Sequence, residues 1–123
     1  MDSAFQHAER ALAIREKFLG YSHVDTGRSI EMLANLYCSQ GKYEESEKLF
    51  KRAREILEKG LGPNHIKVAQ LLHDMAAKLY EKQANYNEAE NLYKKSLTIR
   101  KMVLGDSHPD VAETLHSLAN LYA

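Results

Sequence analysis

The sequence carries few of the signals that mark a disulfide scaffold, a membrane protein or a nucleic-acid-binding protein. Cys38 is its one cysteine, so no disulfide can form within the chain, which is compatible with a reducing cytosol. Lysine and arginine together number 17, as do aspartate and glutamate, so the charge balance favours neither phosphate backbones nor anionic membranes. No apolar run is long enough to cross a bilayer, and no signal peptide opens the sequence. These absences predict a cytoplasmic protein with no nucleic-acid or membrane partner.

Signals for catalysis or for a cofactor are equally scarce. There is no glycine-rich phosphate-binding loop and no nucleophile elbow. Cys38 has no basic residue nearby in the sequence that would activate its thiol as a nucleophile. His73 and His116, with Glu113 nearby, are a conceivable metal pair, but no third and fourth ligand follow at a zinc-type spacing. The sequence therefore predicts no enzyme, no cofactor and no metal site.

What the sequence does contain is an internal repeat. A leucine–glycine pair recurs at spacings of 42 and 43 residues, and a histidine follows each glycine three residues later, as His23, His65 and His108. The segment LANLY begins at Leu33 and again at Leu118, with MAAKLY between the two copies. Because these histidines recur together with the turn, we predict that they are structural residues of the turn and are not catalytic.

Within each unit the apolar residues recur every three or four positions, as they do on one face of an α-helix. Strand-type alternation does not occur anywhere in the sequence. The pattern predicts helices at about 2–19, 24–39, 43–60, 66–83 and 86–103, and another from about residue 108. Each glycine of the leucine–glycine pairs is predicted to end a helix in a left-handed conformation.

Local chemistry predicts how these helices begin and where one of them is irregular. Ser22, Asn64 and Ser107 are candidate N-caps for the helices that follow them. The middle unit contains one more residue within 72–80 than the last copy has in the corresponding stretch. A helix can absorb one extra residue as a single wide turn, so we predict an i to i+5 hydrogen bond or a kink near residues 76–78.

Small residues mark where paired helices are expected to approach closely. Ala34, Ala76 and Ala119 are the small residues of one helix set, and Ala53 and Ser96 are expected to face them. A small side chain at such a position allows two helix backbones to come near each other, and a larger one would overpack the pair. All five residues are therefore predicted to be buried.

The arrangement of these positions resembles a known repeat family. The positions that resemble the tetratricopeptide repeat consensus are LANLY, Gly41-x-Tyr43, Ser46, Phe50 and Ala53. The long unit from Tyr86, with its leucine-glycine-x-x-histidine-proline turn, is similar to the kinesin light chain subgroup. This resemblance implies an all-α fold, a right-handed superhelix of antiparallel helix hairpins. It also implies a single domain made of half repeat 1–20, repeat 21–62, repeat 63–105 and half repeat 106–123.

The resemblance further implies a function, a protein–protein interaction module or scaffold of the cargo-adaptor kind. The first helix of each hairpin would line the concave side of the superhelix and hold a peptide or protein segment. The candidate binding residues that the resemblance places on that side are Arg28, Glu31, Met32, Asn35, Gln70, His73, Asp74, Glu113, His116, Ser117 and Asn120.

The sequence departs from the family at positions that decide which partner is bound. Kinesin light chains usually carry two asparagines before the leucine–alanine pair, where this chain has other residues, so their cargo preference does not carry over. The lysines of a chaperone-type carboxylate clamp are missing too. The acidic candidates outnumber the basic ones: Glu31, Asp74, Glu81 and Glu113 against Arg28 and Lys78. A protein or peptide partner that is not strongly acidic is therefore predicted.

A second function, a structural element that self-associates, remains open. The first predicted helix is the second half of a hairpin, and the last predicted helix is the first half of one. Each would leave apolar residues uncovered, which another copy could bury in a closed dimer or an open array. The residues predicted for this contact are Ala8, Leu12, Leu115, Leu118 and Tyr122.

Overall fold

The computed structural model describes residues 3–19 and 23–122, which form helices joined by short turns and contain no strand. The helices are α1 (Ser3–Leu19), α2 (Val24–Ser39), α3 (Tyr43–Leu61), α4 (Ile66–Asp74), α5 (Tyr86–Leu104) and α6 (Pro109–Tyr122). A π-helical segment, Met75–Tyr80, continues directly from α4. The predicted all-helical fold is confirmed, and each predicted boundary lies within three residues of the observed one.

The chain divides into two compact units, and each is described by itself. Unit 1 is Met1–Pro63 and contains α1, α2 and α3, whereas unit 2 is Asn64–Ala123 and contains α4, the π-helical segment, α5 and α6. The predicted division of the chain into two full and two half repeats stays a prediction.

The core of unit 1 lies where α2 and α3 pair as an antiparallel hairpin. Ala34 and Ala53 have no exposed surface, as predicted for close helix packing. The hydroxyl of Ser46, near the start of α3, donates a 2.9 Å hydrogen bond to the carbonyl of Ala34, in the second half of α2. Towards the other end of the pair, a Cβ on Gly27 would lie 2.9 Å from Ile56 Cγ2, so the two helices approach closely there as well.

The core of unit 2 lies where α5 packs against α4 and the π-helical segment. Ala76 and Ser96 are fully buried, as predicted, and the Ser96 hydroxyl donates a 2.8 Å hydrogen bond to the carbonyl of Ala69. The prediction for Ala119 is wrong, because this residue of α6 is exposed. No described helix covers the face of α6 on which it lies.

The irregular turn predicted in the middle unit is present. The π-helical segment spans Met75–Tyr80, and the backbone N–H of Glu81 donates a 2.9 Å hydrogen bond to the carbonyl of Ala76, five residues earlier. The extra residue is thus absorbed in one wide turn, and both Ala76 and Tyr80 remain buried.

The histidines that recur with the turn are the N-caps of the helices. Their Nδ1 atoms accept hydrogen bonds from backbone N–H groups two residues later, at 3.1 Å for His23, 3.1 Å for His65 and 3.0 Å for His108. The prediction that Asn64 and Ser107 cap the helices is therefore wrong, because the imidazole that follows each of them already satisfies the N–H group at the helix start. The third predicted cap, Ser22, lies outside the described residues.

Two of the three glycines predicted to end helices adopt positive φ angles. Gly62 has φ 94° and ψ 152°, and Gly105 has φ 87° and ψ 162°. The positive φ agrees with the prediction, but the ψ values are extended and not left-handed helical, so the chain leaves α3 and α5 in a conformation that essentially only glycine adopts. Gly20 lies outside the described residues.

Candidate functional site

Part of the candidate surface is a depression on unit 1. It has a volume of about 370 Å³ and is lined by Arg15 of α1 and by five residues of α2, which are Asp25, Arg28, Glu31, Met32 and Asn35. The lining residues of α2 recur every three or four positions and so share one face of the helix. Four of the predicted binding residues, Arg28, Glu31, Met32 and Asn35, therefore surround one cavity.

Arg15 holds α1 against the first two turns of α2. Its Nη1 donates a hydrogen bond of 3.1 Å to the carbonyl of Asp25 and one of 2.7 Å to the hydroxyl of Ser29. A second link joins α1 to α3, because Arg52 Nη2 lies 2.7 Å from Glu16 Oε2. These contacts fix the wall of the depression that α1 provides.

Asn35 gives the depression an unused hydrogen-bond acceptor. Its side-chain Oδ1 is buried and accepts no hydrogen bond from any residue that the structure describes. A buried polar atom without a partner is costly, by about 1–3 kcal/mol, and such atoms are uncommon in folded proteins. An N–H group of a bound ligand would satisfy this oxygen. Beside it, Met32 exposes 55% of its surface and offers an apolar contact.

The corresponding residues of unit 2 lie around a buried arginine. Arg100 of α5 is 1% exposed, and its Nη1 donates to the carbonyl of Asp110 at 3.1 Å, to Thr114 Oγ1 at 2.7 Å and to Glu113 Oε1 at 3.1 Å. Its Nη2 donates to Gln70 Oε1 at 2.7 Å. Gln70, in turn, donates through Nε2 to Asp74 Oδ1 at 3.1 Å. The predicted binding residues Gln70, Asp74 and Glu113 are thus joined through one guanidinium group.

His73 does not lie on the open surface, as had been predicted for a ligand-binding residue. It is 8% exposed, and its ring meets that of Tyr93 edge-on at 5.1 Å between centroids. Burial, together with the nearby charge of Arg100, holds the pKa of His73 below its ordinary value. A neutral, enclosed imidazole is a poor contact for an external partner. His73 therefore lies beneath the candidate surface and packs within unit 2.

The three candidate residues on the outer part of α6 remain accessible. His116 and Asn120 are exposed, and Ser117 is half-buried. Glu113 lies 3.5 Å from His73 but also 3.1 Å from Arg100, so a cation already occupies the position that a metal would need. Within residues 3–19 and 23–122, no group of three or more histidine, cysteine or acidic side chains could hold a metal ion.

Comparison with known proteins agrees with this geometry. The sequence model of the tetratricopeptide repeat matches residues 1–58, 28–102 and 76–123, and these matches together span the chain. The chain belongs to the tetratricopeptide repeat family. This fold is a protein-interaction fold, and the predicted resemblance to that family is confirmed.

Solved structures of the same family are kinesin light chain-like. One, from Podosopora anserina, is described as a kinesin light chain with nearly identical TPR-like repeats; it is 26% identical with a TM-score of 0.84 and aligns 96% of this chain with 56% of its own. Another, BtubC (BKLC) from P. vanneervenii, is 22% identical with a TM-score of 0.86 and aligns 96% of this chain with 47% of its own. The likeness to BtubC concerns the fold alone.

Two curated proteins are similar to part of this tetratricopeptide chain. They are the secreted RxLR effector protein RXLR-C07 of Plasmopara halstedii and the RxLR effector protein SFI4 of Phytophthora infestans (strain T30-4). Each is 34% identical over 64 residues, which is 52% of this chain and 20% or 19% of the relative. The chain thus spans about a fifth of the length of these relatives and about half that of the solved structures.

Two arginines of this tetratricopeptide chain that join neighbouring helices beside the candidate surface were not predicted, although the sequence contains a signal for them. Arg15, Asp25 and Ser29 recur 85 residues later as Arg100, Asp110 and Thr114, and both sets make the same bonds from arginine to carbonyl and hydroxyl. The repeated triplet would have indicated the link. Unit 1 has Arg28 at the position of Glu113, so Arg15 has no equivalent of the carboxylate that pairs with Arg100.

The terminal apolar residues divide into buried and exposed ones. Ala8, Leu12 and Leu118 are 3%, 8% and 7% exposed, so the prediction that they offer a free contact surface is wrong, because neighbouring residues of their own unit cover them. Leu115 and Tyr122 of α6 are 46% and 63% exposed, as the prediction requires. Ile14 of α1, which was not predicted, is 51% exposed.

Among the residues that the structure describes, no helix is long and apolar enough to span a membrane.

Proposed function

We propose that the chain is a protein-interaction module that binds a peptide or protein segment on the exposed face of its first helices, as a cargo adaptor or scaffold does, without catalysis of its own. The observation that carries this proposal is the depression on unit 1, where the unpaired Asn35 Oδ1 lies beside Arg28 and the exposed Met32. An acceptor, a cation and an apolar side chain in one cavity suit an extended peptide, which offers backbone N–H groups and side chains of several kinds.

The proposed surface on unit 2 is Gln70, Asp74, Glu113, His116 and Asn120. Asp74 and Glu113 supply negative charge there, while the positive charge of Arg100 is buried and already paired with Glu113. On unit 1 the depression balances Arg15 and Arg28 against Asp25 and Glu31. This distribution supports a partner that is not strongly acidic. We propose a cytoplasmic location from the composition, because a single cysteine suits a reducing compartment.

The test is to select peptides from a random display library with the wild-type chain and then to measure their affinity for variants. We expect Arg28→Ala combined with Asn35→Ala, or His116→Ala combined with Asn120→Ala, to weaken binding by about tenfold or more, since each lost contact is worth about 1 kcal/mol. Helical circular dichroism should stay unchanged, because all four side chains lie at the surface or line the cavity.

The matched control is Lys51→Ala combined with Lys95→Ala, two exposed residues on α3 and α5. This pair removes two side chains outside the proposed surface and should leave the affinity within twofold of wild type by the usual size of surface effects, about 0.5 kcal/mol or less. Equal losses from the control pair and the surface pairs would place the binding site elsewhere.

A second candidate function is self-association, and the repeat itself favours it. Ile14 occupies the repeat position of Ile56 and Ile99, which are 7% and 5% exposed, yet Ile14 is 51% exposed. In the same way Leu115 occupies the position of Ile30 and Leu72, which are 0% and 1% exposed, yet it is 46% exposed. The open face of α1 thus has the residues of a second helix, and the open face of α6 has those of a first helix.

We propose that in the 123-residue chain these two faces can pair between copies, as α3 pairs with α2. Light scattering over a wide concentration range should then give a mass that rises with concentration. Ile14→Glu or Leu115→Glu should return the mass to that of a monomer, because each places a charge in the contact. Met102→Glu, which alters a residue of α5 that is 62% exposed, is the control. A monomeric wild type at millimolar concentration would rule this candidate out.

A further inference from the structure

His73 occupies an unusual position, because residues of three helices enclose it within unit 2. It belongs to α4, Tyr93 of α5 meets its ring edge-on, and two residues of α6 reach its ring nitrogens. Thr114 Oγ1 lies 3.5 Å from Nδ1, and Glu113 Oε1 lies 3.5 Å from Nε2. The imidazole therefore stands at the junction through which α6 is held to the rest of unit 2.

Burial and the charge of Arg100 oppose protonation of His73, while three carboxylates favour it. Arg100 Nη1 lies 3.1 Å from the same Glu113 oxygen that faces His73 Nε2. This carboxylate oxygen therefore already accepts a hydrogen bond from a guanidinium group. The other carboxylates that act on His73 are those of Asp74 and Glu81. Asp74 accepts a hydrogen bond from Gln70, and Glu81 accepts one from the Tyr93 hydroxyl at 2.9 Å. All three acids favour a protonated ring, but burial and the cation of Arg100 outweigh them.

We propose that the binding surface of unit 2 is acid-sensitive: protonation of His73 loosens α6 from α4 and α5 and so displaces Glu113, His116 and Asn120. A protonated ring would bring a second cation to the Glu113 oxygen that Arg100 already uses, and it would place a charge in an enclosed site. The ring, α6 or both must then move towards water. The inference rests on the proposed function in one respect. The proposed function supplies the partner that the displaced residues would release.

Unit 1 has no counterpart of the site around His73. Glu31 of α2 occupies the repeat position of His73, and the link from Arg15 to Ser29 contains no histidine. The repeat position of Glu113 is taken by Arg28. Acid should therefore act on the surface of unit 2 through His73, whereas the Arg15 contacts that join α1 to α2 in unit 1 contain no histidine.

The sign of the effect follows from proton linkage. In the unfolded chain His73 has the ordinary pKa of 6.5, and in the folded chain its pKa is lowered. Between these two values the unfolded chain binds more protons than the folded one, so stability rises with pH. The contribution of a neutral His73 is complete above pH 6.5, is lost as the pH falls from there towards the lowered pKa, and changes no further below it.

The experiment uses the free chain, without any partner, and measures hydrogen-exchange protection of α6 at pH 7.5 and pH 5.5, corrected for intrinsic exchange rates. In wild type we expect the protection of α6 to fall severalfold at pH 5.5, as for a locally opened segment. His73→Gln, which cannot be protonated, should remove that fall. His116→Gln, which alters the exposed histidine at the same repeat position, should retain it. Comparing wild type with these two variants separates the effect of His73 on α6 protection from any effect of the other histidines.

An NMR titration of the wild-type histidine rings makes the test independent of how well His73→Gln folds. The ring of His73 should titrate below pH 6.5, and the amide of Thr114 should shift over the same range. The inference is overturned if the ring of His73 titrates at pH 6.5 or above, or if a folded His73→Gln chain loses α6 protection in acid as wild type does. Because no partner is present, these results stand whether or not peptides bind the proposed surface.

Discussion

Replacing Arg100 with alanine is expected to lower the free energy of unfolding by about 3 kcal/mol, which is large for a charged residue. The guanidinium group is almost completely buried and donates to Thr114, to Gln70 and to the carbonyl of Asp110. Its removal leaves a cavity, takes the donor from Gln70 Oε1 and leaves the carboxylate of Glu113 without its guanidinium partner at the junction of α5 and α6. Urea unfolding at pH 7.5, followed by circular dichroism, measures the loss.

Arg15→Ala is the matched control, because Arg15 makes the same bonds to the carbonyl of Asp25 and the hydroxyl of Ser29 but is itself exposed. We expect it to cost about 1 kcal/mol, since water can replace the lost donors. If the two alanine variants lose the same stability, the buried network around Arg100 does not hold unit 2 together.

The repeat also offers a compensating variant. The positions equivalent to Arg100 and Thr114 in the middle of the chain are Leu57 and Leu71, both fully buried. Arg100→Leu combined with Thr114→Leu should therefore recover much of the stability that Arg100→Ala loses, because a packed apolar pair can replace a buried polar one. This comparison separates the loss of volume from the loss of hydrogen bonds.

Enlarging Ala53 to leucine is expected to destabilise unit 1 by about 1–3 kcal/mol through overpacking. Ala53 has no exposed surface and lies on α3, which approaches α2 so closely that a Cβ on Gly27 would meet Ile56 at 2.9 Å. The space for three additional carbon atoms must come from moving the two helices apart. Thermal unfolding measures the effect as a lower Tm.

Lys51→Leu serves as the control on the same helix, because Lys51 is exposed and its pairing with Glu47 is a surface contact of 3.7 Å. It adds an apolar side chain without entering the core and should change stability by no more than about 0.5 kcal/mol. A Tm for Ala53→Leu equal to that of wild type would mean that Ala53 does not lie in a tight helix contact.

The helices and the π-helical turn could be predicted because their signals are local and repeated. Each helix carries its own apolar period, and the extra residue within 72–80 is visible when the copies are aligned. The capping residue was predicted wrongly because serine and asparagine are the usual caps, whereas here the histidine one position later presents Nδ1 to the helix start. The recurrence of this histidine at every turn predicts a structural role but does not reveal the hydrogen bond that explains it.

The candidate surface could be predicted only as far as repeat equivalence holds. His73 and His116 share a repeat position and were given the same role, yet Glu113 and Thr114 of α6 cover the first, and the second is exposed. Periodicity determines the side of a helix on which a residue lies and cannot state what packs against that side. Arg100 was missed for a related reason, because a long cation is normally solvated and only its partners reveal that it is buried.

The terminal residues of α6 also differ in exposure from one another. Leu118 was expected to be open for self-association, but it is 7% exposed, whereas Leu115, three residues earlier on α6, is 46% exposed. Residues three apart on a helix are offset by about 60° around its axis, so at the edge of the buried face one of them can be covered while the other is exposed. Leu118→Glu would therefore destabilise the fold itself, and Leu115→Glu is the variant that tests the contact.

If the exposed face of the first helices binds a peptide, adding a library-selected peptide to the wild-type chain should change the amide chemical shifts on that face. We expect the largest changes at the depression around Arg28, Met32 and Asn35 of α2, with others near His116 and Asn120 of α6. Changes concentrated instead on the exposed residues of α3 and α5, with the amides around Asn35 unmoved, would contradict this expectation.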